Sequence, residues 1–291
     1  RGEEETGSDV CAPGELDDAM ACARANCGGV PDVDASRCAA DACQIEAIGI
    51  YAHARGCFNC LVASAGKSLD EIAATCDGGP GASRLYGGEN GVLLASRFPL
   101  IDVEALRLPS SGANRVALFA TIEAPGGFTI EVVCTHLSSS NLIPPTDPRF
   151  ATWAEEQLAQ VDLIEDRLRA RSGGRLSLLM GDLNSGPEVE GHLEATDVEA
   201  WDALTDFGFG DPAADADPPV CSRCEGNLLN PTENHLLIDH VMTLDAPAVE
   251  WKPLCAHAVM NEPVTVTDAG GASVSTSMSD HFGTLVKLDI K

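Results

Sequence analysis

Eight of the chain's twelve cysteines, Cys11, Cys22, Cys27, Cys38, Cys43, Cys57, Cys60 and Cys76, crowd the first quarter of 291 residues, and Cys134, Cys221, Cys224 and Cys255 are scattered after it. A stretch this short and this rich in cysteine buries too little apolar surface to fold alone and is held by cross-links. The spacing therefore divides the chain into a small stapled module, residues 1–80, and a larger domain, residues 81–291. Within the module the Ala-rich stretches 15–26, 35–54 and 68–75 read as short helices, the first two parted by Gly28-Gly29 and Pro31. Cys22 and Cys27 mirror Cys38 and Cys43 across that break, so an antiparallel helical hairpin would pair Cys22 with Cys43 and Cys27 with Cys38. The rival is a zinc site built from Cys57-Phe58-Asn59-Cys60 and Cys221-Ser222-Arg223-Cys224, which lie far apart in sequence. The even count predicts that all twelve are oxidised, the first eight among themselves, which places the protein in a secreted or periplasmic setting.

Charge narrows the function. Eighteen Lys and Arg against 45 Asp and Glu give a net charge of −27, which opposes stable binding to a polyanion, since each phosphate contact wants a cation. No stable nucleic-acid partner is expected. No apolar run reaches the roughly 20 residues of a membrane helix. A monomer with no transmembrane segment is the expectation.

Past residue 80 the pattern changes from helical to alternating. Stretches 91–97, 115–123 and 128–135 read as strands, the last two joined by the hairpin signal Ala124-Pro125-Gly126-Gly127. Ala154, Leu158, Val161, Ile164 and Leu168 form a helical stripe in 153–171, which Gly173-Gly174 ends. Stretches 176–180, 236–243 and 282–290 are further strands. Helices between strands predict an α/β sandwich.

Four polar clusters sit where these strands begin or end: Thr135-His136-Leu137, Gly181-Asp182-Leu183-Asn184, Ile238-Asp239-His240 and Ser279-Asp280-His281. Each alone reads as an ordinary turn or a packed polar residue. Together they supply carboxylates for a hard cation, an imidazole that a carboxylate can orient to take a proton from water, and donors for phosphate oxygens. If its strand is regular, His240 points to the face opposite Asp239, where it would be a packed histidine or a second site group. His53, His192, His235 and His257 have no such company and read as structural or surface residues.

With Gly88-Glu89-Asn90-Gly91 and Ser96-Arg97-Phe98-Pro99 added, the set resembles the endonuclease/exonuclease/phosphatase superfamily, the deoxyribonuclease I-like group, from about Tyr86 to Lys291. The resemblance implies a four-layered α/β/β/α sandwich with two mixed sheets, carrying the helical module as an insert. It implies Mg²⁺ or Mn²⁺ and hydrolysis of a phosphoester, more often a phosphodiester, by an activated water. His136 would contact the phosphate, Asp182 and Asn184 would position or activate the water, Asp239 would orient His281, and His281 would be the catalytic imidazole. Asp280 would join the metal site, and Asn90 and His240 are secondary candidates. The family's opening Asn strand and its Gln-Glu strand, whose Glu is the principal metal ligand, are not found before Gly88; Gln44-Ile45-Glu46 has the letters in a helical setting. The expectation is that those strands lie upstream of Arg1, leaving an exposed sheet edge beside the strand near Gly91.

Substrate is left between nucleic acid and a phospholipid headgroup, in the manner of a nuclease or of a sphingomyelinase-like phospholipase C. Residues 176–222 hold eleven acids and no Lys or Arg, and the chain has only thirteen aromatics, so nucleic acid finds few cations and few stacking faces there. The alternative from another class is a catalytically inactive extracellular binding protein.

Overall fold

The structure, a computed structural model, describes residues 10–30, 35, 38–39, 41–64, 67–79, 92–110, 115–140, 145, 149–230, 233–244, 251–267 and 271–290. It divides into two compact units, 1–91 and 92–291.

The first unit carries α1 (Asp17–Cys27), α2 (Gln44–His53), α3 (Arg55–Ala63) and α4 (Leu69–Cys76). Ser68 and Glu71 form a reciprocal capping box that starts α4. Its core is small: Leu16, Met20, Ile50 and Ile72 pack with the half-cystines Cys11, Cys57, Cys60 and Cys76. Disulfides supply what that core lacks, pairing Cys11–Cys57, Cys22–Cys43, Cys27–Cys38 and Cys60–Cys76. The two pairings read from the mirrored spacing are both present. Oxidation of all twelve cysteines is not: a fifth disulfide joins Cys221 to Cys224, and Cys134 and Cys255 are free thiols. They sit on separate strands, Cys134 half-buried and Cys255 exposed. Both CxxC motifs are spent on disulfides, which removes the zinc reading.

The second unit is a mixed α/β fold. Its strands are β1 (Leu100–Leu108), β2 (Arg115–Glu123), β3 (Thr129–His136), β4 (Ser177–Asp182), β5 (Phe209–Gly210), β6 (Asp239–Leu244), β7 (Trp251–Val259), β8 (Val264–Thr267), β9 (Ser273–Thr276) and β10 (Gly283–Ile290). Six of them form one sheet in the order β1-β2-β3-β4-β6-β5, with β3 and β4 parallel and the other neighbours antiparallel. β7 pairs with β10, and β8 with β9. Among the described residues the β7–β10 pair has no third strand, and Leu254 and Leu285 on it are exposed. Residues 92–96 form no strand, contrary to the reading of 91–97, and Gly91 lies outside the described residues. Leu93 there is 82% exposed, so the stretch does not bury its apolar side chains as a paired strand would.

Helix α5 (Trp153–Ser172) opens on a Thr152/Glu155 capping box and stops at Gly173 in the left-handed conformation. Val161, Ile164 and Leu168 pack with Phe119, Val133, Leu179 and Met242 of the sheet and with Leu204 of α6 (Val198–Phe207) in the main core. The α5 stripe differs from its apolar reading at its N-terminal half. Gln157 and Gln160 are buried there, and Gln160 and the buried Glu156 bond Ser138 beyond the end of β3. This polar seam braces the loop after β3, one of the loops that meet at the candidate site.

Candidate active site

Sheet register assembles the first half of the site. β3 and β4 run parallel with His136 opposite Asp182, and β4 and β6 run antiparallel with Asp182 opposite Asp239. Three polar side chains from positions up to 103 apart thus form one row at one end of three adjoining strands. Gly181 permits the approach. It has φ +133°, and a Cβ there would lie 1.9 Å from the Thr135 carbonyl oxygen, so no other residue fits without moving β3.

His281, just before β10, completes the row. Its Nδ1 lies 2.9 Å from Asp239 Oδ2 and 3.8 Å from Asp182 Oδ2. Asp182 Oδ2 in turn lies 3.4 Å from His136 Nε2. Asn184, in the left-handed conformation, donates its backbone N–H to Asp182 Oδ1 at 2.9 Å and its side-chain amide to the Leu137 carbonyl at 3.0 Å. The structure therefore brings His136, Asp182, Asn184, Asp239 and His281 together.

Electrostatics follow from this crowding. Burial, then the neighbouring Asp239 charge, pushes Asp182 up to about 6. Burial, then the charge of Arg115, pulls His136 down to about 4, so it is neutral at pH 7. The hydrogen bond from His281 to Asp239 raises the His281 pKa above the usual imidazole range. Arg115, at the start of β2, has no motif around it and was not anticipated; its charge acts on both His136 and Asp182.

The donor set fits a divalent cation. One ligand atom each from Asp182, Asp239 and His281 lie within 4.8 Å of one another. The two carboxylates suit Mg²⁺ or Mn²⁺, with water completing the shell, and a bound cation would offset the burial and then the Asp239 charge that raise the Asp182 pKa. Asp280 stays on the exposed rim, its carboxylate bonded by Ser279 Oγ, and is not part of that cluster. Asn90 lies outside the described residues.

His240 takes the packed alternative. It points away from Asp239 and is buried, Nδ1 2.8 Å from Asp211 Oδ2 and Nε2 2.8 Å from the Ser185 carbonyl. Trp201 Nε1 also donates to Asp211, and the Trp201 backbone N–H donates to Ser185 Oγ. This closed ring of bonds pins the loop behind Asn184. Of the other histidines, His192 and His235 line a surface cavity of about 580 Å³ with Glu188 and Glu194, His257 sits on β7 opposite Leu285, and His53 ends α2.

No family model and no curated protein matches the chain. Solved structures do. The chain is similar to a mannosyl-6-phosphatase of Bacteroides thetaiotaomicron, at 14% identity over 67% of each chain with a TM-score of 0.46. Sphingomyelinase C from Streptomyces griseocarneus gives 19% over 66% of this chain and 65% of its own, TM-score 0.46. Beta toxin from Staphylococcus aureus gives 16% over 67% and 65%, TM-score 0.49. The chain spans about two thirds of the length of these structures. An endonuclease/exonuclease/phosphatase family protein from B. thetaiotaomicron is also among the matches, at 14% identity over 66% of each chain, TM-score 0.46.

Proposed function

We propose that the protein is a divalent-metal-dependent phosphoester hydrolase that acts on phosphodiesters and works outside the cytoplasm. The observation that carries the reading is the Asp239–His281–Asp182–His136 row, in which every neighbouring pair is within hydrogen-bond or ion-pair distance. His281 donates Nδ1–H to Asp239, which leaves Nε2 as the base that takes a proton from water, and the Asp239 carboxylate steadies the imidazolium that results. Neutral His136 offers a hydrogen bond to a phosphoryl oxygen. The Asn184 backbone fixes Asp182, and Arg115 adds positive charge where the substrate's negative charge collects. Asp182 and Asp239 would hold Mg²⁺ or Mn²⁺, which when bound polarises a phosphoryl oxygen. Five disulfides support an oxidising compartment.

A second reading, an inactive extracellular binding protein, is favoured by one observation: among the described residues no Glu joins the Asp182–Asp239–His281 cluster. Assays of bis-p-nitrophenyl phosphate, single-stranded DNA and sphingomyelin, each with and without EDTA, separate the two. Hydrolysis that EDTA abolishes, and that Asp182→Ala or His281→Ala lowers at least about a hundredfold, is the expected result. No hydrolysis with any divalent cation selects the binding protein, and EDTA-insensitive hydrolysis refutes the metal mechanism.

A further inference from the structure

We propose that Ser222, held in the ring closed by the Cys221–Cys224 disulfide, is the positioning residue that sets Asp239 against His281. The inference rests on the reading of that pair as the base and its orienter. The two residues are 42 positions apart and come from different elements, yet their side chains meet at 2.9 Å. Their main chains converge on Ser222. Its fully buried Oγ accepts the N–H of Ile238, just before β6, at 3.0 Å and that of Asp239, the first residue of β6, at 3.1 Å. Its carbonyl accepts the N–H of Phe282, the residue after His281, at 2.7 Å.

The grip extends along the same loop. Asn227 Nδ2 donates to the Ser279 carbonyl at 3.0 Å, and the Leu228 N–H is bonded to Ser277 Oγ at 2.9 Å. The segment 277–282, which delivers His281, is thus fastened at both ends to 222–228. Ser222 and Arg223 donate their own N–H groups to the Leu236 carbonyl, and Leu236 donates back to Arg223. Ser222 and Cys224 are buried and Cys221 packs against the Leu193, Val220 and Leu237 cluster, so the loop that offers hydrogen bonds in three directions is itself anchored. The Cys221–Cys224 bond closes that loop and restricts its backbone, so the bonds are made by a group that is already in place. An error of about 1 Å in such an orienter costs up to about a hundredfold in rate while leaving substrate binding alone.

Two variants test it in the full chain: Ser222→Ala, and the double substitution Cys221→Ala with Cys224→Ala, which keeps the hydroxyl and opens the ring. Both are measured where tryptophan fluorescence shows the larger unit folded. Each should lower kcat at least about tenfold with KM within about twofold; Ser222→Ala should speed amide hydrogen exchange at Ile238 and Asp239, the double variant at Phe282 as well, and neither at Val132 or Leu179 in the sheet centre. The exchange arm needs no substrate, so it decides the clasp even if the protein hydrolyses nothing. Unchanged exchange at the three amides overturns the proposal. So does faster exchange with kcat intact, which would leave Ser222 a purely structural residue. If Ser222→Ala does not fold, the double variant carries the same two readings.

Discussion

Replacing Asp182 by Asn should stabilise the metal-free protein while removing its activity. The carboxylate is 16% exposed, faces Asp239 across the β4–β6 register and has its pKa pushed from 3.8 to about 6, by burial first and by the Asp239 charge second. A folded-state pKa above the unfolded one means that the folded protein holds the proton more tightly. This group therefore favours folding fully below about pH 4, and that contribution is lost as the pH rises through about 6. At pH 7.5 the ionised carboxylate costs about 3 kcal/mol relative to its own protonated form. Asn keeps the acceptor for the Asn184 N–H and carries no charge. Urea unfolding in EDTA followed by tryptophan fluorescence is the assay, since Trp153, Trp201 and Trp251 all belong to the larger unit. Asp182→Asn should be the more stable protein at pH 7.5 by up to about 3 kcal/mol, with the gap closing by pH 4. Adding Mg²⁺ should stabilise the native protein and not the variant. A variant less stable than the native protein at pH 7.5, or a gap that does not narrow at low pH, would refute the account of an uncompensated carboxylate pair.

Three further outcomes follow from single contacts. His240→Leu leaves the buried Asp211 carboxylate without its cation and should cost about 3 to 5 kcal/mol in the same unfolding assay; a loss under about 1 kcal/mol would contradict a buried ion pair. Gly181→Ala drives a methyl into the Thr135 carbonyl oxygen and should destabilise by about 3 kcal/mol or more, and a neutral effect would mean β3 and β4 are not in this register. Alkylation of the native protein followed by peptide mapping should label two cysteines, the exposed Cys255 quickly and Cys134 slowly, because burial raises the Cys134 thiol pKa. A label on any of the other ten contradicts the pairing.

What the sequence revealed of this site, and what it hid, separates by the range of the interaction. His136, Asp182 and Asp239 were legible because each lies at the polar end of an apolar strand, and strands that share a sheet align such ends in a row. His281 was legible because it too adjoins a strand. Strand β7 was missed because its pattern is broken by Pro253 and carries no alternation, and α6 because its acids mask a short apolar face. The α5 stripe reads as apolar by periodicity, yet its N-terminal half buries Glu156, Gln157 and Gln160, whose partners are Ser138 after β3, Pro109 after β1 and Asn184 after β4 and leave no mark within the helix itself. Cys134 and Cys255 failed the even-number rule because pairing depends on where two strands put their cysteines, not on the count. Ser222 is the extreme case. A serine between two cysteines reads as filler in a possible zinc motif. Its role arises only when residues 238, 239 and 282 fold back upon it, so a residue that helps connect the two halves of the row is one whose local sequence says least about the site.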